Sequence, residues 1–312
     1  WEALATRQDR EAFTTAAALA GHIGEALARP DDAELWLHTA EALLDRLGRP
    51  RELASTVERA RGLLAEQRGN LEPALEHYRR ALDLLPTPDH PSREELTGRL
   101  AIAHMSLGQL DTAHALQEQL LSRARERYGA DHPKVALRLQ SLGNIATLRG
   151  DFDAAEAYNR QALALQRRAL PPNHEKLAFP LSSLGDIAMQ RGDLAAAIES
   201  YDEARAIWER NLGPQHPRVA AMLERLAATE LIRGDLGRAE QHALRALAIW
   251  GAAQSPDQQG VLLAHLDLAL IERARGDFAA MRVHAEAALP IAVEVFGEAH
   301  LYTAAARAVR SA

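Results

Sequence analysis

Apolar side chains recur three and four positions apart through most of the chain, which is the spacing of an amphipathic helix. In the stretch from Pro133 to Arg149 the apolar positions that share one helix face are Val135, Leu139, Leu142, Ile145 and Ala146. A second helix is predicted from Phe152 to Arg168, after the turn Gly150-Asp151. Because so short a turn leaves two helices antiparallel, the pattern predicts a helix hairpin.

This hairpin pattern repeats at an interval of 42 residues. The interval is marked by the glycines Gly108, Gly150, Gly192, Gly234 and Gly276. It is also kept by His90, His132, His174, His216 and His300, with Gln258 in the remaining place. A fixed period in this range is typical of solenoids, in which each unit buries its apolar face against its neighbours. The sequence therefore predicts an all-α solenoid of antiparallel helix hairpins.

Small residues mark the positions where the two helices of a hairpin are expected to touch. Ala or Gly stands seven positions before each repeat glycine, at Ala101, Gly143, Gly185, Ala227 and Ala269. Ala also stands five positions after the glycine in four units, at Ala113, Ala155, Ala197 and Ala239, with Met281 in the last. The absence of bulky side chains at both positions predicts close contact between the helix backbones.

These offsets of Leu-Gly, Gly, Ala and Ala resemble those of the tetratricopeptide repeat. The segment from Ser55 to Pro88 fits the 34-residue form of that repeat. The five later units resemble the 42-residue repeats of kinesin light chains, as in Asp131-His132-Pro133 and in the helix Ala239–Leu247. The resemblance implies a right-handed superhelical array. We expect an N-terminal helical cap or lead-in at residues 1–50, the array at 51–295, and a C-terminal capping helix at 296–312.

The same resemblance implies that the first helix of each unit lines a concave groove that binds a protein or peptide. On this helix, the residues nine and six positions before the glycine face away from the hairpin contact, and they are not uniformly apolar as core positions would be. The predicted groove contacts are Arg99, Ser141, Asn144, Ser183, Asp186 and Arg225. Such side chains suit hydrogen bonds to a peptide backbone and pairing with acidic residues. A solvated helix face without a ligand is the alternative.

The recurring histidines predict a role at the start of each first helix, and no metal site. Residues at equal positions of successive repeats lie one repeat apart, too far to share an ion whose ligands are ~2 Å away. The acidic residue after the repeat glycine suits an N-cap, and it recurs at Asp151, Asp193, Asp235 and Asp277. No constellation of nucleophile, base or metal ligands is visible, so we predict neither enzymatic activity nor a cofactor.

Composition narrows the classes of partner. The formal net charge of −7 disfavours nucleic acid and anionic membranes. No apolar run approaches the ~18 residues of a membrane span, and no signal peptide opens the chain, so we expect a cytoplasmic location. The chain has no cysteine, which removes thiolate metal sites.

The predicted function is that of a scaffold or adaptor that binds a protein or peptide in its groove. One alternative is the regulatory or sensor segment of a larger bacterial signalling protein, such as a Ser/Thr kinase or an NTPase. The composition rich in Ala, Arg and Leu is typical of bacterial chains, and Trp1 in place of Met predicts a piece of a longer protein. A third alternative is self-association through the groove or the opposite face.

Overall fold

The computed structural model describes residues 2–27, 30–252 and 257–311, and these residues form fifteen α-helices and no strand. The chain divides into two compact units, residues 1–130 and 131–312. The all-α class and the helix hairpins predicted from the sequence are confirmed. Among the described helices, none is both long and apolar enough to cross a lipid bilayer.

The first unit contains six helices. They are α1 (Glu2–Leu27), α2 (Pro30–Arg46), α3 (Arg51–Gln67), α4 (Leu71–Leu84), α5 (Ser92–Ser106) and α6 (Leu110–Tyr128). Helices α1 and α2 pack against each other and against α3, around a core that includes Phe13, Leu37 and Leu44. The pairs α3/α4 and α5/α6 follow as hairpins, and Tyr78 of α4 and Leu96 of α5 are fully buried in a core formed by α3, α4 and α5.

The second unit contains four hairpins and a final helix. They are α7 (Pro133–Leu148), α8 (Phe152–Ala169), α9 (Ala178–Gln190), α10 (Leu194–Leu212), α11 (Pro217–Arg233), α12 (Leu236–Ala252), α13 (Gln258–Arg275), α14 (Phe278–Phe296) and α15 (Leu301–Ser311). A short 3-10 helix, Glu175–Leu177, precedes α9. The final helix α15 packs on α14, and buried Ala306 joins the core formed by α13 and α14.

The recurring histidines cap the helices that follow them. His132 Nδ1 accepts a hydrogen bond from the backbone N–H of Lys134 at 3.1 Å, and this bond satisfies a donor that has no partner inside the helix. The same bond, at 3.1–3.2 Å, is formed by His90, His174, His216 and His300. The predicted helix-start role of these residues is therefore confirmed.

The recurring aspartates cap the second helix of each hairpin in the same way. Asp151 accepts a hydrogen bond from the backbone N–H three residues further on, at 3.1 Å. Equivalent bonds of 3.0–3.2 Å are made by Asp193, Asp235 and Asp277. Asp257 provides such a cap for α13, the helix whose repeat position carries Gln258 in place of histidine.

The predicted contact between the helices of each hairpin is confirmed. The small residues seven before and five after the repeat glycine are buried in every unit, including Met281 in the last. Gly185 on α9 faces the ring of Tyr201 on α10, and a Cβ atom on Gly185 would lie 2.5–2.6 Å from two ring carbons. The Tyr201 hydroxyl donates to Asp186 Oδ1 at 2.9 Å, so this ring is held at both ends.

Replacement of Gly185 by Ala should lower the free energy of unfolding by about 1–3 kcal/mol, because the added methyl group overpacks the contact with Tyr201. Gly237→Ala is the matched control, since Gly237 lies in α12 and has no heavy atom closer than 3.8 Å to an added Cβ. That control should raise stability by about 0.5–1 kcal/mol. Urea unfolding followed by circular dichroism measures both, and equal effects of the two changes would contradict the contact.

Candidate functional site

An open cavity of about 440 Å³ lies between the first helices of two successive hairpins in the second unit. Helix α7 forms one wall, and the 3-10 helix with the start of α9 forms the other. The lining residues are Pro133, Lys134, Leu137, Gln140, Ser141, Asn144, Gln166, Leu170, Lys176, Phe179, Ser182, Ser183 and Trp208. Three of the six residues predicted as groove contacts, Ser141, Asn144 and Ser183, therefore line one cavity.

The apolar part of this cavity is built around an aromatic pair. Phe179 meets Trp208 edge to face, with ring centroids 5.5 Å apart. The guanidinium carbon of Arg218 lies 4.8 Å from the Phe179 centroid and 5.8 Å from that of Trp208. Phe179 remains 40% exposed and Leu137 51% exposed. Together they present an apolar surface that a bound side chain could cover.

The polar part of the cavity presents hydroxyl and amide groups. Gln166 Nε2 donates to Gln140 Oε1 at 3.2 Å. Gln166 Oε1 and Trp208 Nε1 are buried and have no hydrogen-bond partner among the described residues.

Two lysines stand at the rim of the cavity, and the sequence analysis missed them. Lys134 and Lys176 are the only lysines in the chain, and they are 42 residues apart. Arg218 occupies the same place in the next hairpin. Each follows a capping histidine by two residues, so the three cations stand at helix starts, where the helix dipole also favours an anion. The sequence does carry a signal for them, because a cation recurs every 42 residues at the position two after the histidine.

Two other predicted contacts, Asp186 and Arg225, bind each other. Arg225 Nε donates to Asp186 Oδ1 at 2.8 Å, and the same oxygen accepts the Tyr201 hydroxyl. Burial raises the pKa of Tyr201, and the Asp186 carboxylate raises it further. Burial acts to lower the pKa of Arg225, but Asp186, together with the charges of Tyr201 and Glu224, outweighs burial and the pKa is raised. The two side chains are 41% and 40% exposed, so solvent screens the pair.

The sixth predicted contact, Arg99, lies on α5 in the first unit. Its guanidinium is 3.9 Å from the carboxylate of Glu66 on α3. The structure therefore places the six predicted residues in three different settings. Three line the cavity, two form an ion pair between α9 and α11, and one belongs to the other compact unit.

Burial raises the pKa of two acidic side chains, Glu224 on α11 and Asp267 on α13, into the neutral range or above it. Burial raises the pKa of Asp267 to about 8, and the nearby charge of Glu224 contributes to the rise. Burial raises the pKa of Glu224 to about 7, although the charge of Arg225 acts in the opposite direction. Asp267 holds the position nine before the glycine, which is occupied by Ser141, Ser183 and Arg225 in preceding repeats. Along the second unit this repeat position therefore changes from a hydroxyl side chain to a cation and then to an acid.

These two carboxyls should make the second unit less stable as pH rises. Both are ionised in the unfolded chain above pH about 5, but in the folded chain they ionise only near pH 7 and 8. Stability is therefore fully present below the unfolded pKa and is lost as pH rises through the folded value. Asp267→Asn should exceed the parent at both pH 5.5 and pH 8.5, and by more at pH 8.5, because the loss of stability begins at the unfolded pKa and continues until the pH passes the folded value. The gain should be on the order of 1.4 kcal/mol for each unit by which the native pKa is raised.

The measurement is urea unfolding at both pH values. The difference between variant and parent isolates Asp267, because the histidines titrate in both proteins. Asp153→Asn, at a side chain that is 96% exposed, is the control and should show no such dependence on pH. A parallel profile for Asp267→Asn and parent would contradict the raised pKa.

Comparison with known proteins agrees with this architecture. The family model for the tetratricopeptide repeat matches residues 92–168 and 177–252. No curated protein matches the sequence by direct comparison. A crystal structure of BtubC (BKLC) from P. vanneervenii is 24% identical, with a TM-score of 0.62 over 73% of this chain and 91% of that one.

Two further solved structures are similar. A putative kinesin light chain with nearly identical repeats from Podosopora anserina is 22% identical, with a TM-score of 0.57 over 67% of this chain and 99% of that one. A STAND signal transduction ATPase with a tetratricopeptide repeat sensor from Pyrococcus horikoshii is 15% identical, with a TM-score of 0.68 over 93% of this chain and 42% of that one. The chain is a tetratricopeptide repeat protein with repeats like those of kinesin light chains, a scaffold of the kind that mediates protein interactions.

Proposed function

We propose that the chain is an adaptor that binds a peptide segment of a partner protein in the cavity between α7 and α9. The observation that carries this proposal is the composition of the cavity. It combines an exposed apolar surface at Leu137 and Phe179 with the polar side chains Ser141, Asn144 and Ser183. Apolar surface with a few placed polar groups is typical of ligand sites. The volume of about 440 Å³ suits one or two side chains of a peptide.

The proposed ligand carries acidic residues. Lys134 and Lys176 flank the cavity in a chain whose net charge is −7, so the positive potential is local and selects an anionic group. An acidic residue on either side of an apolar one would pair with the two lysines while the apolar side chain enters the cavity. The polar wall would bind the peptide backbone.

The remaining predicted contacts belong to the same proposal. Asp186 and Arg225 lie on α9 and α11, so a ligand that continues along these first helices would meet them after the cavity. Their mutual ion pair means that a ligand competes with an existing bond there. Arg99 is proposed as a contact in the first unit. We expect the cavity to contribute more to affinity than these three residues, because only the cavity offers apolar surface to bury.

The test is selection from a displayed library of random nonapeptides, followed by fluorescence anisotropy with the recovered peptides. Lys134→Glu/Lys176→Glu should weaken binding of acidic peptides at least tenfold, about 1.4 kcal/mol. Glu in the first turn of a helix is favoured by the helix dipole, so this variant should remain folded.

Arg10→Glu/Arg282→Glu is the matched control, since it changes the net charge equally at exposed positions on α1 and α14. It should leave the affinity within about twofold, about 0.4 kcal/mol. If both double variants bind alike, the ligand does not lie at the lysines. If the library yields no binder, the cavity is not a peptide site.

A second candidate function is the sensor segment of a larger signalling protein. It is supported by the STAND ATPase, in which the matching repeats form 42% of the protein and almost all of this chain is covered. Determination of the reading frame on both sides of this segment tests it. An adjoining kinase or NTPase domain would support the sensor, and a frame that contains only helical repeats would contradict it.

A further inference from the structure

Two histidines meet within the last hairpin of the second unit. His265 lies on α13 and His284 on α14, and their Nδ1 atoms are 3.1 Å apart. The ring centroids are 5.4 Å apart and the ring planes are inclined by 39°. Both side chains are partly buried. Neither residue belongs to the capping series or to the proposed peptide cavity.

The pair is particular to this hairpin. His284 stands eight residues after its repeat glycine, and His242 holds the same place in the preceding repeat. The position that corresponds to His265 in that preceding repeat is Leu223. His242 therefore has a similar place in its hairpin without a second imidazole at the matching position, and it provides an internal comparison.

The separation of the two nitrogens suits a shared metal ion. Metal–nitrogen bonds of ~2.0–2.1 Å that join two atoms 3.1 Å apart enclose an angle of about 100°. This value lies between the angles of octahedral and tetrahedral coordination. In the absence of metal, one Nδ1–H donates to the other Nδ1. When an ion takes that place, the donor ring moves its proton to Nε2, so both rings stay neutral and no net proton is released.

The surroundings favour a cation. The carboxylates of Glu240 and Glu272 act on His284. Arg275 binds both carboxylates, with Nη2 2.6 Å from Glu240 and Nη1 3.0 Å from Glu272. Two negative charges against one positive charge leave the site with a net charge of −1. Burial lowers the pKa of His265 and of His284, so both rings are neutral at pH 7 and able to act as ligands.

We propose that His265 and His284 bind one divalent transition-metal ion of the zinc, nickel or copper class through their Nδ1 atoms. Imidazole ligands select these ions over magnesium and calcium. No cluster of three or more His, Asp or Glu side chains suited to a metal is found within the described residues, so water would supply the remaining ligands of an ion held by this pair. The ion would join α13 to α14 and stabilise the last hairpin.

The test is isothermal titration of Zn²⁺ into the metal-free, untagged chain at pH 7.5. We expect one tight equivalent, weakened at least tenfold in His265→Gln and in His284→Gln, because each change removes one of two ligands. His242→Gln should bind as the parent does. The tight equivalent should also be lost at pH 5, where protons compete for the imidazoles.

A second measurement uses only the parent protein, so it does not depend on whether the variants fold. The electron paramagnetic resonance spectrum of the parent with one equivalent of Cu²⁺ should show coupling to two nitrogen nuclei. The proposal is overturned if the parent binds no tight equivalent, if all three variants titrate like the parent, or if the copper spectrum shows fewer than two nitrogens.

Discussion

The architecture depends on the close approach of the two helices in each hairpin. Where the first helix carries a glycine at this contact, the glycine lies against a larger side chain of the second helix, as Gly185 lies against Tyr201 and Gly143 against Asn159. Because protein interiors are close packed, one added methyl group at this contact displaces its neighbours. A glycine or alanine stands at this position of the first helix once in every 42 residues. Each hairpin can then present the remaining sides of its helices to neighbouring hairpins and to solvent.

The helix caps place the same repeat position in the first turn of successive first helices. A histidine cap begins the first helix of most later units at the same place in the repeat, so the residue two positions on always stands in the first turn. Where that residue is Lys134, Lys176 and Arg218, the repeat generates a row of cations. The same position carries Gly260 and Tyr302 later in the chain, so the cationic row ends there.

The character of the first helices changes along the second unit. Near α7 and α9 the first helices present apolar and cationic side chains, whereas α11 and α13 carry the partly buried carboxyls of Glu224 and Asp267. An acidic segment that binds at the lysines would therefore be repelled at the other end once these carboxyls ionise. The two ends of this surface therefore differ in charge, which would not be so if all the repeat units were identical.

The sequence by itself determined the helices, the hairpins, the caps and the small contact residues, because each follows from local spacing and from a period that every unit repeats. It also predicted that Ser141, Asn144 and Ser183 face away from the hairpin contact, and all three line the cavity between α7 and α9. Only the tertiary structure decided that Asp186 and Arg225, 39 residues apart, bind each other, and that His265 meets His284 across a hairpin. Such pairs depend on the distance between neighbouring helices and on side-chain rotamers, and periodicity along the chain carries information about neither.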